Sequence, residues 1–221
     1  MTVSYAQTLD GRLATRTGSS RWISGAESLR FAHELRASHD AIMVGAGTVC
    51  LDDPRLTVRL AQGRDPLRVI VDSTLRIPLT AAVLASGAAQ GTVLVVTERA
   101  PAERRAEAMA LGATVLPVPV DAQGRVSLPT ALAMLGERGV RSVMVEGGAR
   151  LITSLLRDRL VDRLAICTAP LILGTGIDAV GDLGIIDLGR ALRLDQARAT
   201  PYGEDLIIQG RVVYPEAGDG N

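Results

Sequence analysis

Lysine is absent from this chain of 221 residues, and all 24 basic side chains are arginine. That absence excludes a Schiff-base lysine, a lysine general acid and a Walker-type phosphate loop. Any anion must be held by arginine, by main-chain N–H groups or by hydroxyls. Cysteine is nearly absent too. Cys50 and Cys167 form no C-x-x-C, and with only His33 and His39 beside them no zinc cluster of soft ligands can be assembled. They read as ordinary thiols of a reducing compartment. The formal net charge is zero, so there is neither a basic field for nucleic acid nor an acidic tail. No window approaches the length of apolar sequence that a membrane-spanning helix needs. The opening "MTVSYAQTLDG" lacks a basic start followed by an apolar run, so no signal peptide is expected and a cytoplasmic location is.

What is present is a core. Apolar residues make up 47% and charged residues 22%, the balance of a globular protein. Apolar runs alternate with helical patterns: "DAIMVG", "PLRVIVD", "TVLVVT", "ATVLPV" and "RSVMVE" read as buried strands. "APAERRAEAMALG", "SLPTALAMLGERG" and the stretch after "VEGG" read as helices, the last with Leu151, Ile152, Leu155 and Leu156 on its apolar side. Near the start, Asp10-Gly11 between "VSYAQ" and "RLAT" predicts a hairpin. Ser24 and Glu27 predict a capping box for a helix whose apolar face is Leu29, Ala32 and Leu35. After residue 160 the pattern becomes strands and turns. The prediction is an α/β fold: a mostly parallel central sheet, an antiparallel C-terminal edge and helices on both faces. A single domain over 1–214 and a disordered tail over 215–221 are expected.

Two glycine-bearing segments invite a ligand. "GAGT" at 45–48 follows an internal strand and carries Cys50 where a dinucleotide fingerprint needs its third glycine, so a strand-to-helix turn is the competing reading. "VMVEGGARL" at 143–151 joins a buried strand to a helix through Gly147 and Gly148; it fits a phosphate site at a helix N-terminus, or a tight turn. Asp52-Asp53 is a poor metal pair, because adjacent side chains diverge, and Pro54 points to turn chemistry. Taken singly, Arg36 fits a helix C-terminal cation, Arg59 a solvated strand residue and Trp22 a packing residue.

Their order carries more. "YAQTLDGRLAT…SRWIS…LRASHDAIMVGAGTVCLDDPRLTVR…VIVDS…VMVEGGARL" resembles the pyrimidine reductases of riboflavin biosynthesis, which have the dihydrofolate-reductase-like fold, from about Val3 to the final strand. The resemblance implies NADPH across the carboxyl edge of the sheet. It also implies a ribosylamino-pyrimidine 5′-phosphate substrate whose ribose becomes ribityl, by hydride transfer to the sugar C1′ and protonation at nitrogen. No metal is required.

Carried to matching positions, the resemblance implies that Gly147, Gly148, Ala149, Arg150 and Leu151 hold the cofactor pyrophosphate. Thr48 and Asp52 would lie against the nicotinamide half, with Ala6 and Trp22 on the same surface. Ser20, Arg36, Leu56, Arg59 and Glu146 would contact substrate, the two arginines clamping phosphate or sugar hydroxyls. Asp52 is the candidate catalytic group, polarising the reacting centre or relaying a proton. A homodimer through the late strands is expected. Ser4 stands where deaminase-fused members carry lysine, and the H-x-E and P-C-x-x-C zinc motif of the deaminase half is missing. Both departures favour a stand-alone reductase acting on the 2,5-diamino-pyrimidinone, with the deaminated aminouracil as alternative. Neither Arg76 nor Arg99 stands out as a 2′-phosphate ligand. Rival functions are a reductase of the same fold in another pathway and a non-catalytic nucleotide-binding protein. A dihydrofolate reductase fits poorly, since a Leu-Pro-Trp loop is missing and Phe31 is the only phenylalanine.

Overall fold

The computed structural model describes residues 1–20, 23–85 and 87–215; Trp22 and the tail from 216 onward lie outside the described residues. The chain begins with β1 (Thr2–Thr8), β2 (Arg12–Thr15), α1 (Ala26–Ala37), β3 (Ala41–Gly45), α2 (Ala46–Asp52) and β4 (Leu67–Val71). Next come β5 (Thr92–Val96), α3 (Ala102–Ala110), β6 (Thr114–Pro117), α4 (Leu128–Glu137), β7 (Val143–Glu146) and α5 (Ala149–Arg157). The chain closes with β8 (Arg163–Ala169), β9 (Gly176–Asp178), β10 (Arg193–Tyr202) and β11 (Asp205–Val213). Two compact units are present, Arg30–Gly148 and Met1–Leu29 with Ala149–Asn221.

In the Arg30–Gly148 unit five strands lie in the order β7-β3-β4-β5-β6, and every pairing is parallel. Their sequences are short apolar runs because both faces are covered: Ala41, Ile42, Met43 and Val44 are all fully buried. Ile42 and Val44 enter one core with Val49, Leu56, Ile70, Leu94 and Val96. In the other unit the order is β10-β11-β8-β1. β1 and β8 are parallel, whereas β11 pairs antiparallel with both β8 and β10. The apolar/polar alternation of β8 and β11 buries one side of each strand. The predicted strands and the three later helices are all present, with antiparallel pairing among the late strands. α5 buries Leu151, Ile152, Leu155 and Leu156, as its pattern required.

Three local expectations are corrected. The Asp10-Gly11 turn forms, with Gly11 N donating to Thr8 O at 2.9 Å, but the hairpin does not: β1 pairs with β8, and β2 with β9. Asp10 decides the outcome. Its carboxylate accepts from Thr8 Oγ1 at 2.6 Å, Leu173 N at 3.2 Å and Gly174 N at 2.7 Å, fastening the turn to a distant segment. Arg12 extends that seam through Gly174 O at 2.9 Å and an ion pair with Asp178. A Cβ at Gly176 would collide with Ala14 O, so the close approach of β9 requires glycine there.

α1 differs twice. Gly25, not Ser24, carries the first helical carbonyl, accepting from Leu29 N at 3.0 Å. The N–H of Gly25 donates to Asp205 Oδ2 at 2.7 Å, so a carboxylate on β11 does what Glu27 was expected to do. The predicted apolar face is also not the buried one. Leu29 is 43% exposed, whereas Ser28, His33 and Arg36 are buried. His33 and Arg36 face inward because they find polar partners there, the Arg59 N–H and the Glu146 carboxylate.

Candidate active site

Arg36, in the last turn of α1, directs its guanidinium at Glu146, the last residue of β7. Nε donates to Oε1 at 2.5 Å and Nη2 to Oε2 at 2.6 Å, a two-point pair between largely buried side chains. Nη1 donates to Thr57 O at 3.0 Å. The segment after α2 completes the cluster: Arg59 N donates to His33 Nδ1 at 3.0 Å, and Arg59 Nη1 to Thr57 Oγ1 at 2.8 Å. Val58 N is held by Asp65 Oδ1 at 2.7 Å. Burial first, then the Arg36 and Arg59 cations, push His33 down to about 4. The Arg59 guanidinium is pulled below its ordinary value by desolvation and by Arg36 and Arg55, with Glu146 and Asp65 opposing. Three arginines against two carboxylates, Glu146 and Asp65, leave an excess of positive charge, which suits an anionic ligand.

"GAGT" forms the strand-to-helix turn of the competing reading. β3 ends at Gly45 and the helix α2 begins at once, so Gly47 and Thr48 belong to its first turns. Thr48 and Asp52 stand four residues apart on this helix and therefore share a face, Thr48 half-buried and Asp52 exposed. Asp53 closes the helix in the left-handed region, φ 41°, its N–H donating to Val49 O at 3.1 Å. Its carboxylate accepts from Ala82 N at 2.7 Å, so Asp53 has the turn role its Pro54 neighbour implied. Leu56, expected among the substrate contacts, has its side chain in the core. It is 2% exposed within the core, leaving only its main chain for a ligand.

β7 leads into the second glycine segment. Gly147 and Gly148 both have positive φ, 64° and 82°, and α5 starts at the next residue. A Cβ added to Gly147 would meet nothing within 4 Å. The turn is therefore open as well as left-handed, and the helix N–H groups of Ala149, Arg150 and Leu151 follow it. β3 and β7 are parallel neighbours, Met43 beside Val145, so the turns leaving them emerge at the same end of the sheet.

The structure thus joins Arg36, Glu146 and Arg59 in one network, pairs Thr48 with Asp52 on one helix face, and sets Gly147 beside Glu146 in the chain. Ala6 lies half-buried on β1 opposite Cys167 of β8, and Ser20 is half-buried in the segment after β2. Trp22 lies outside the described residues. Sequence reasoning missed His33 and Thr57. The three-residue spacing of His33 and Arg36 on one helix was the available signal.

These features define a class: an α/β unit whose parallel strands lead to an arginine-rich network around Glu146 and an open diglycine turn. Residues 1–208 match the model of the RibD C-terminal domain family. The chain belongs to that family. It is 46% identical over 213 residues to the 2,5-diamino-6-ribosylamino-4(3H)-pyrimidinone 5′-phosphate reductase of Methanothermobacter thermautotrophicus, covering 94% of this chain and 95% of that one. It is 41% identical over 209 residues to the riboflavin biosynthesis protein RibD of Aquifex aeolicus, covering 94% of this chain but 56% of the relative. Among solved structures, Acinetobacter baumannii RibD superposes with a TM-score of 0.83 at 26% identity, over 96% of this chain and 57% of that one. The family relationship carries the α/β reductase fold with it.

Proposed function

We propose that the chain is an NADPH-dependent reductase. It converts the ribosyl side chain of 2,5-diamino-6-ribosylamino-4(3H)-pyrimidinone 5′-phosphate to ribityl. The observation that carries this reading is the arginine network around Glu146, one residue before the diglycine turn. The choice of substrate is supported by the archaeal relative, which matches this chain over nearly the whole length of both.

The residues fit a dinucleotide. Gly147 offers an open left-handed position, and Gly148, Ala149, Arg150 and Leu151 add main-chain N–H groups for a pyrophosphate. When bound, the reduced nicotinamide supplies the hydride. The forked donors of Arg36 are already committed to Glu146 and Thr57, so its task is to hold the Glu146 carboxylate in place. Glu146 then accepts hydrogen bonds from substrate hydroxyl or amino groups. Arg59, with Arg55 near it, holds the 5′-phosphate. Asp52, sharing a face with Thr48, orients the cofactor side and relays the proton to the sugar nitrogen.

The chain is further proposed to act as a homodimer in the cytoplasm. β10 ends the strand order, and nearly all of its ten residues are exposed, which suits it to pairing with a second copy. No helix among the described residues is long and apolar enough to cross a membrane.

Purified protein with NADPH and each pyrimidine substrate, followed by nicotinamide absorbance and product mass, tests the reading. Oxidation with the diamino substrate is expected. Faster turnover of the aminouracil overturns the substrate choice, and no oxidation with either overturns the reductase.

A further inference from the structure

His33 is fully buried, yet it lies on the α1 face that carries Arg36 and makes a hydrogen bond to Arg59. An amide N–H can only donate, so the contact from Arg59 N at 3.0 Å requires a lone pair on His33 Nδ1. The imidazole is therefore neutral, with its proton on Nε2. Nε2 stands 3.5 Å from Arg36 Nη1, and two donors facing each other at that distance form no useful bond. Instead, the ring blocks one side of the Arg36 guanidinium. The open sides of that guanidinium face Thr57 O and the Glu146 carboxylate, where its donors are found.

One imidazole thus touches the arginine assigned to the phosphate, by its acceptor nitrogen at the main chain of Arg59, and the arginine that holds Glu146, by its edge at the side chain of Arg36. We propose that His33 is a positioning residue for the anionic end of the substrate: it fixes the main chain at Arg59 and confines Arg36 to its pair with Glu146. The inference rests on the reading of Arg59 as a phosphate ligand. The charged groups around the ring are the Arg36 and Arg59 guanidinium groups, with Glu146 across Arg36, so a third positive charge, on the ring, is opposed from two sides. Burial acts in the same direction, and the imidazole stays neutral until the pH falls to about 4.

Asparagine places its Oδ1 near the position of Nδ1 and can keep the bond to Arg59 N. Leucine matches the bulk of the ring without an acceptor, leaving a partly buried N–H unpaired. H33L is expected to raise KM for the phosphorylated substrate about tenfold with kcat within about twofold, and H33N to restore KM to within about twofold of the parent. Hydrogen exchange at the Arg59 amide is expected to accelerate in H33L and to stay protected in H33N, a difference that general loosening of the fold would not produce. Should H33L not fold, H33Q, whose amide sits one bond further out, is expected to raise KM likewise. R59A is measured in parallel. If R59A raises KM and neither H33L nor H33Q does, the role of His33 is overturned and the phosphate reading stands. If R59A leaves KM unchanged, the phosphate reading fails and takes the role of His33 in catalysis with it. Equal losses in H33N and H33L, with the Arg59 amide protected in both, also overturn the proposal.

Discussion

Arg36 and Glu146, separated by most of the Arg30–Gly148 unit, meet through two hydrogen bonds of 2.5 and 2.6 Å. The pair ties the last turn of α1 to the end of β7 at the residue before the diglycine turn. Both side chains are largely buried, so each is the other's main compensation for lost water.

Breaking this pair from one side leaves a buried charge. E146A is expected to lower unfolding free energy by about 3 kcal/mol. E146Q keeps one acceptor for Arg36 and should lose only about 1–2 kcal/mol. Urea unfolding of both variants measures the difference, and equal stability of E146A and the parent would refute the pair's importance.

Arg59 is solvent-exposed, and its guanidinium holds only Thr57 Oγ1 among the described partners. R59A should therefore change stability by less than about 0.5 kcal/mol. Its KM for the phosphorylated substrate should rise on the order of tenfold or more, as loss of a charge-assisted contact requires. Steady-state kinetics on phosphorylated and dephosphorylated substrate separate the phosphate contribution, because the latter should barely respond.

Gly147 has φ 64°, and a Cβ there meets open space. The cost of G147A is thus conformational, about 1–2 kcal/mol, with no clash to add. The added methyl points where the cofactor phosphate is proposed to lie, so NADPH affinity should fall more than stability does. Thermal melts and NADPH fluorescence titration compare the two.

Asp10 supplies a pH signature. The Thr8 hydroxyl above all, and then the N–H groups of Leu173 and Gly174, lower its carboxyl from 3.8 to about 2, against some desolvation. A depressed carboxyl stabilises the native state above its unfolded value. That contribution should be lost as pH falls through the window from about 4 to 2. D10N should be less stable than the parent near neutrality, and the two unfolding curves should converge below that window. Parallel curves throughout would show that the Asp10 seam adds nothing.

The sequence by itself determined the elements whose neighbours hardly matter. Runs such as "AIMVG" and "TVLVV" can only be strands buried on both sides, and α5 announced its apolar face at helical spacing. The order of motifs from Tyr5 to Leu151 was enough to identify the family. Asp53 as turn chemistry was legible too, because αL caps and aspartate are local matters. Tertiary structure decided what depends on partners far along the chain. Asp10-Gly11 looked like a hairpin turn, but Leu173 and Gly174 captured its carboxylate and β2 went to β9. α1 offered leucines for burial, yet Glu146 and the main chain of residues 57–59 drew its polar face inward. Arg36 and Glu146 were each legible as site residues, but not as partners, since no periodicity within either segment encodes their pairing. Local propensity fixes a turn or a strand at about 1 kcal/mol per choice, and burying an uncompensated charge costs several times more. At Arg36 and Glu146 that larger cost set the arrangement.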